Sequence, residues 1–299
     1  MLMTSPADLA AWRHYFLDLP RWAHGLAHQG TLARMRAFHA NDVAPTRHAL
    51  RWLWGPDATE AALDTACANA QRVKIEREAD AHRVLRPGAP AIAIDGLETL
   101  REARLQAGPL ILLTGHFGSF YTIAVALARA GMAVHPVART VDTSAANPRP
   151  RQAFERFNYW STGRRIDGRY LYTDFAGWMD KRVIAVCKQG GIILVLPDLP
   201  RRLFAAGRQS VTLFDRPATL PARLFELGHK YGARFVSVWS RIDLEHRGHA
   251  QLAIEAPLPT SSVAATLQGY ADSLTRAVRL TPWQWMALPI IEQYEEPAP

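Results

Sequence analysis

Apolar positions along this chain fall into two regimes. Up to about residue 85 the pattern is helical and poor in strands, with Ala, Leu, Arg and Trp dominating. Within it "DATEAALDTACANAQRVKIEREADAHRVL" predicts a long, polar-faced helix, and Asp57 and Thr59 offer N-cap chemistry at its start. "RPGAPAI" at 86–92 is a loop punctuated by Pro and Gly. Beyond it, short apolar runs alternate with helical stretches. Strands are predicted at 91–95, 110–115, 132–138, 192–198, 210–214, 234–241 and 251–258. Helices are predicted at 96–106, 119–130, 221–231 and 261–280. Strands interleaved with helices give one α/β domain over 86–299, preceded by a helical region over 1–85. The runs at 110–113 and 192–196 do not alternate with polar residues, which predicts central strands covered on both faces.

The 299 residues, 48% hydrophobic and 21% charged, suffice for a full core and exclude a disordered chain. A formal net charge of +8 favours anionic partners such as phosphates, an acidic carrier or anionic lipid. There is no Lys/Arg block of nucleic-acid type and no zinc-finger spacing, so nucleic acid is not an expected partner. Cys67 and Cys187 are the only cysteines, which fits a reducing cytoplasm and no metal cluster. Residues 1–30 lack the apolar core of a signal peptide, and no window reaches the length of apolar chain a membrane span needs. The expectation is a cytoplasmic protein that at most lies on the inner-membrane surface. The segment 8–39, with Trp12, Phe16, Leu19 and Trp22 near Arg and His, suits either a membrane interface or packing on the α/β domain.

Three residues at predicted strand ends stand out. His116 follows the strand "LILLT", between Gly115 and Gly118, with Ser119 placed to cap the next helix. Such junctions expose side chains to ligands in α/β folds, and His is suited to moving protons near neutral pH. Asp198 in "LPDLPRR" ends another buried run, and Arg139 in "HPVART" ends a third. A lone His is more often structural, Asp198 also reads as a turn residue between prolines, and Arg139 as a solvated arginine. Together they are the parts of a group-transfer site.

Five stretches, in order from about residue 91 to 288, resemble the lipid A late acyltransferases of the lysophospholipid acyltransferase superfamily. They are "AIDGLETLREARLQAGPLILLTGHFGSF", "VARTVDTSAANP", "KQGGIILVLPDLP", "VTLFDRPATLPARLFELGHKYGARFVSVWSR" and "LTPWQWM". The resemblance implies a glycerolipid-acyltransferase-like fold, a mixed central sheet flanked by helices. It also implies a His-x4-Asp/Glu pair in which His takes a proton from an acceptor hydroxyl as that hydroxyl attacks an acyl thioester of acyl carrier protein or coenzyme A. No metal or other cofactor is implied. Carried over, His116 is the base, Tyr121 takes the position of the acid, Asp198 matches the third-block aspartate, and Arg139 matches an arginine suited to phosphate or pantetheine. Gly118, Ser119 and Arg201 are the remaining candidates for substrate binding.

Four departures mark this chain: Tyr121 in place of the carboxylate, an N-terminal region without the family's hydrophobic anchor, Pro289-Ile290-Ile291 in place of terminal cations, and Asp215 in place of a glycine. A phenol can accept a hydrogen bond from the imidazole but cannot offset the charge that forms on it. Either Asp198 or another acid stands in, or the acceptor is a more nucleophilic amine, or the protein only binds. The expected activity is acyl transfer to a hydroxyl or amine of a metabolite, a carrier-tethered intermediate or a lipid. A catalytically degenerate acyl- or carrier-binding protein and a thioester hydrolase are the alternatives.

Overall fold

The computed structural model describes residues 42–83, 92–139, 159, 162–173, 181–246 and 248–295. The segment 8–39 therefore lies outside the described residues. Helices α1 (Val43–Trp54) and α2 (Glu60–Arg83) come first. The Thr59 hydroxyl accepts the Ala62 N–H, so Thr59 does the capping expected at the start of α2. Then follow β1 (Ile92–Asp95), α3 (Leu97–Leu105), β2 (Leu110–Leu113), α4 (Phe120–Arg129), β3 (Val134–Arg139) and β4 (Leu171–Thr173). The second half holds α5 (Lys181–Lys188), β5 (Ile192–Val195), β6 (Arg208–Leu213), β7 (Arg216–Pro221), α6 (Arg223–Lys230), β8 (Arg234–Ile242), β9 (Ala250–Pro257) and α7 (Val263–Leu280). Two 3-10 segments, Pro282–Gln284 and Leu288–Tyr294, close the described chain.

Seven strands form one mixed sheet in the order β1-β9-β8-β2-β5-β3-β4. β8, β2, β5, β3 and β4 run parallel, while β9 is antiparallel to β8 and carries β1 with it. The α/β class with a mixed, helix-flanked sheet is therefore as expected. All four residues of β2 and all four of β5 are buried, which is what their unbroken apolar runs require of strands covered on both faces. Successive side chains of β2 go to opposite faces. Ile111 and Leu113 join α7, α6 and residues of α1 and α2 in one core, and Leu110 and Leu112 join α3 and α4 in the other. The first two helices thus share their core with the α/β part.

β6 and β7 form a separate antiparallel hairpin whose two-residue turn is Phe214-Asp215. Both turn residues have positive φ, 54° and 64°, the geometry of a type I′ turn that favours glycine. Asp215 bears that strain and its carboxylate pairs with Arg279. Among the described residues no helix is long and apolar enough to cross a membrane, and no group of three or more His, Cys, Asp or Glu is placed to hold a metal ion.

Candidate active site

The parallel strands bring the sequence-predicted residues to one edge of the sheet. β2 and β5 are adjacent, with Leu113 in register with Val195, and the chain leaves both at the same end. The Thr114 N–H still donates to the Val195 carbonyl (2.9 Å), and the Tyr270 hydroxyl donates to the Thr114 carbonyl (2.9 Å), so the strand is held up to the turn. Past β5, the Leu199 N–H reaches back to the Pro197 carbonyl at 2.8 Å. Asp198 is the centre of that three-residue turn, which aims its side chain across to the neighbouring strand.

There it meets His116. The Asp198 Oδ1 lies 2.8 Å from His116 Nδ1, and Oδ2 accepts the His116 backbone N–H at 2.7 Å. The Trp285 indole N–H donates to the same Oδ2 at 2.9 Å. The Asp198 side chain is fully buried, whereas the His116 side chain is 30% exposed. Both carboxylate oxygens thus accept N–H donors, which is how a buried carboxylate is tolerated and which makes Nδ1 the protonated ring nitrogen. That tautomer leaves the lone pair on Nε2, in a side chain that is partly exposed. A base with a buried, hydrogen-bonded carboxylate behind it is the arrangement that general-base catalysis uses.

The close approach depends on missing side chains. A Cβ on Gly115 would lie 2.8 Å from Asp198 Oδ2, and one on Gly118 would lie 1.7 Å from the Ser240 carbonyl oxygen of β8. Gly118 and Ser119 are buried, and the Gly118 N–H is taken by the Gln284 carbonyl at 2.8 Å. The structure places both residues in tight packing at the turn. Ser119 does occupy the N-cap position of α4, but its side chain makes no capping bond. Its φ/ψ of −96°/57° is not the extended backbone from which a cap hydroxyl reaches the N2 or N3 amide.

Tyr121 is a correction of geometry. Nδ1 of His116 is engaged by Asp198, so the phenol is not the partner that orients the ring. Tyr121 lies in the first turn of α4 and packs on Phe120 (4.1 Å between centroids) and Tyr159 (6.4 Å). Arg139 ends β3, with its backbone in register with Thr173, and its side chain lies outside the described residues. Arg201 and Arg202 are exposed on the loop that follows Asp198. The Arg208 guanidinium fixes that loop by donating to the Leu199 carbonyl at 2.9 Å and the Phe204 carbonyl at 2.8 Å. Burial in this cradle lowers its pKa to about 10, which leaves it charged at neutral pH.

Two residues of the site were not among the candidates, although Trp285 lies in the block "LTPWQWM". Trp285 binds the carboxylate itself, and the Tyr294 hydroxyl donates to the Asp198 backbone carbonyl at 2.8 Å. The segment around them also accepts from Gly118 through the Gln284 carbonyl, and the Met286 N–H donates to the His116 carbonyl at 2.8 Å. Trp285→Phe keeps an aromatic ring, though a smaller one, and removes one charge-assisted bond, worth about 1.5–3 kcal/mol. Turnover is expected to fall about 10–100-fold with donor KM unchanged, as read by steady-state kinetics, and unchanged turnover would refute the assignment.

Comparison with known proteins decides the family. The family model described as bacterial lipid A biosynthesis acyltransferase matches residues 67–289, more than half of the chain. The chain belongs to this family. The protein is therefore an acyltransferase, as its five sequence blocks implied. Among solved structures it is similar to the 1-acyl-sn-glycerophosphate (LPA) acyltransferase PlsC from Thermotoga maritima, with 15% identity and a TM-score of 0.39 over 85% of this chain and 96% of that one. No curated protein sequence matches the acyltransferase significantly.

Proposed function

We propose that this acyltransferase moves an acyl group from a thioester of acyl carrier protein or coenzyme A to a hydroxyl or amine, with His116 as general base and Asp198 as the carboxylate behind it. The observation that carries the reading is the 2.8 Å contact between His116 Nδ1 and a fully buried Asp198 carboxylate. His116 Nε2 takes the proton of the acceptor as its oxygen or nitrogen attacks the thioester carbonyl carbon. The new C–O or C–N bond forms, the tetrahedral intermediate collapses, and the C–S bond breaks. The imidazolium then returns the proton to the departing thiolate, so the base is regenerated without an acyl-enzyme. Asp198 holds the tautomer and offsets the transient charge on the ring.

The exposed Arg201 and Arg202 and the net charge of +8 suit an anionic donor, whether coenzyme A phosphates or an acidic carrier protein. The acceptor is a soluble or carrier-tethered metabolite, or a membrane lipid met at the surface, in preference to lipid A itself. Pro289-Ile290-Ile291 supplies no cations at the end of the chain for a sugar phosphate. The reading places the reaction in the cytoplasm or at the inner face of the inner membrane. The purified protein, given an acyl-carrier-protein or coenzyme A thioester and a panel of alcohols and amines, is expected to release one thiol per molecule of acylated product. Free acid as the sole product would establish a hydrolase, and donor binding without thiol release would establish a binding protein.

A further inference from the structure

A carboxylate accepts an indole N–H well only while the indole keeps its angle, because a hydrogen bond weakens steeply off line. Trp285 stands just past the short 3-10 segment Pro282–Gln284, so packing must set the angle of its ring. That ring packs on Phe214 at 5.5 Å between centroids and on Tyr294 at 5.3 Å. Phe214 in turn meets Trp52 of α1 edge-on at 6.1 Å. The Arg216 guanidinium lies over the Trp52 ring, 4.2 Å from its centroid. Four rings thus run from α1 to the carboxylate. The last two bond to Asp198 itself, Trp285 at Oδ2 and Tyr294 at the backbone carbonyl.

The row is fixed along its length. Phe214 is buried at the tip of the β6–β7 hairpin with φ 54°, a region where a bulky side chain is an outlier. The turn accepts that backbone cost and places a ring where glycine would relax it. The Phe214 N–H donates to the Thr275 hydroxyl of α7 at 3.3 Å. Arg216 also pairs with Glu295 at 2.9 Å. Helix α1 packs along Leu288–Tyr294, with His48 Nε2 2.7 Å from a Glu292 oxygen. The root of the same hairpin serves the other flank of the carboxylate, since Arg208 holds the loop that follows Asp198. Helix α1 ends before residue 67, where the match to the family model begins, so Trp52 reaches the site from outside the matched stretch.

We propose that Trp52 and Phe214 are positioning residues that hold the Trp285 indole on Asp198, so that helix α1 braces the catalytic carboxylate. The inference rests on Asp198 being the carboxylate behind the base. Both residues act through Trp285. Without the Trp52 ring, Phe214 loses its edge-to-face partner, the strained turn relaxes, and the indole turns away from Oδ2. Oδ2 then keeps only the His116 backbone N–H, and the carboxylate shifts relative to Nδ1. Simple core filling gives a different pattern: lower stability with the indole bond intact.

The test compares Trp52→Ala, Trp52→Phe, Trp285→Phe and the double variant Trp52→Ala/Trp285→Phe in the full chain. Trp52→Ala is expected to lower turnover about tenfold with donor KM unchanged, and Trp52→Phe, which keeps a ring against Phe214, by about twofold or less. In the Trp285→Phe background the indole bond is already gone, so adding Trp52→Ala should cost less than about twofold. The Trp285 indole N–H, assigned in ¹H–¹⁵N spectra by its loss in Trp285→Phe, reads the bond without turnover. In Trp52→Ala it is expected to move upfield and to exchange with solvent about tenfold faster, and in Trp52→Phe to stay in place. Should Trp52→Ala fail to fold, Phe214→Leu, which keeps apolar bulk without the ring, carries the same expectations. An unmoved indole signal, a full tenfold loss in the Trp285→Phe background, or an effect confined to the melting temperature overturns the proposal. Turnover is scored separately. A parent protein without transfer whose indole signal responds as expected removes the proposed function and leaves the brace; transfer with an unmoved indole removes the brace and leaves the function.

Discussion

Asp198→Asn is expected to cut turnover by about 10⁴-fold while the protein stays folded and still binds its donor. The substitution is isosteric, so its effect comes from hydrogen-bond direction alone. Oδ2 of Asp198 accepts two N–H groups, from the His116 backbone and from Trp285, and Oδ1 accepts one, from His116 Nδ1. An asparagine has one acceptor oxygen and one NH₂. The oxygen satisfies more partners at the Oδ2 position, which puts the NH₂ opposite Nδ1. Nδ1 must then accept, its proton moves to Nε2, and the nitrogen facing substrate loses the lone pair that takes the proton. The negative charge that steadies the imidazolium is lost in the same step. Alanine would be a poorer test, since it leaves the backbone and indole donors buried without an acceptor and confounds catalysis with stability. The measurements are single-turnover thiol release and the ¹⁵N shifts of His116, which report the tautomer without needing activity. A loss under tenfold, or an unchanged tautomer, would sink the assignment of Asp198.

Much of the frame behind this prediction was legible in the sequence. β2 and β5 announce themselves as unbroken apolar runs because central parallel strands are covered on both faces, and a charged residue just past such a run lies at the sheet edge. That placed His116 and Asp198 on one edge although 82 positions separate them. Local patterns said less where tertiary contacts decide. β4 is three residues long, β7 contains two prolines, and α5 has only eight residues, so none carries a clear period. Tyr121 was expected beside the imidazole because a motif spacing placed an acid there. The turn after β2 is instead closed by Asp198 from the adjacent strand, and α4 starts at Phe120, which carries Tyr121 toward Tyr159. Trp285 and Tyr294 reach Asp198 from 87 and 96 positions away, and nothing in their own neighbourhood marks them as partners of a carboxylate. The resemblance of "LTPWQWM" to a family block flagged the segment without saying what it touches.

Gly118→Ala is expected to lower stability by about 3 kcal/mol and the melting temperature by about 6–12 °C, and to abolish most turnover. Gly118 has φ +52°, a left-handed conformation that costs an L side chain about 1–2 kcal/mol. Its added Cβ would also lie 1.7 Å from the Ser240 carbonyl oxygen and 2.7 Å from that carbonyl carbon. These are backbone atoms of β8, paired there with Leu252 of β9, so no flexible side chain can move aside. The turn must yield, at a further cost of about 1–3 kcal/mol for overpacking. It cannot yield freely, because the Gly118 N–H is bonded to Gln284 and the His116 carbonyl to Met286. Displacing Gly118 by even a fraction of an ångström therefore moves His116 relative to a carboxylate that Trp285 and Tyr294 hold from the other side. Thermal unfolding followed by circular dichroism, with thiol release on the same sample, checks both effects. A melting temperature within 2 °C of the parent would mean that the turn relaxes around the new methyl group. The second glycine of "GHFG" would then not be what fixes the distance between the base and its carboxylate.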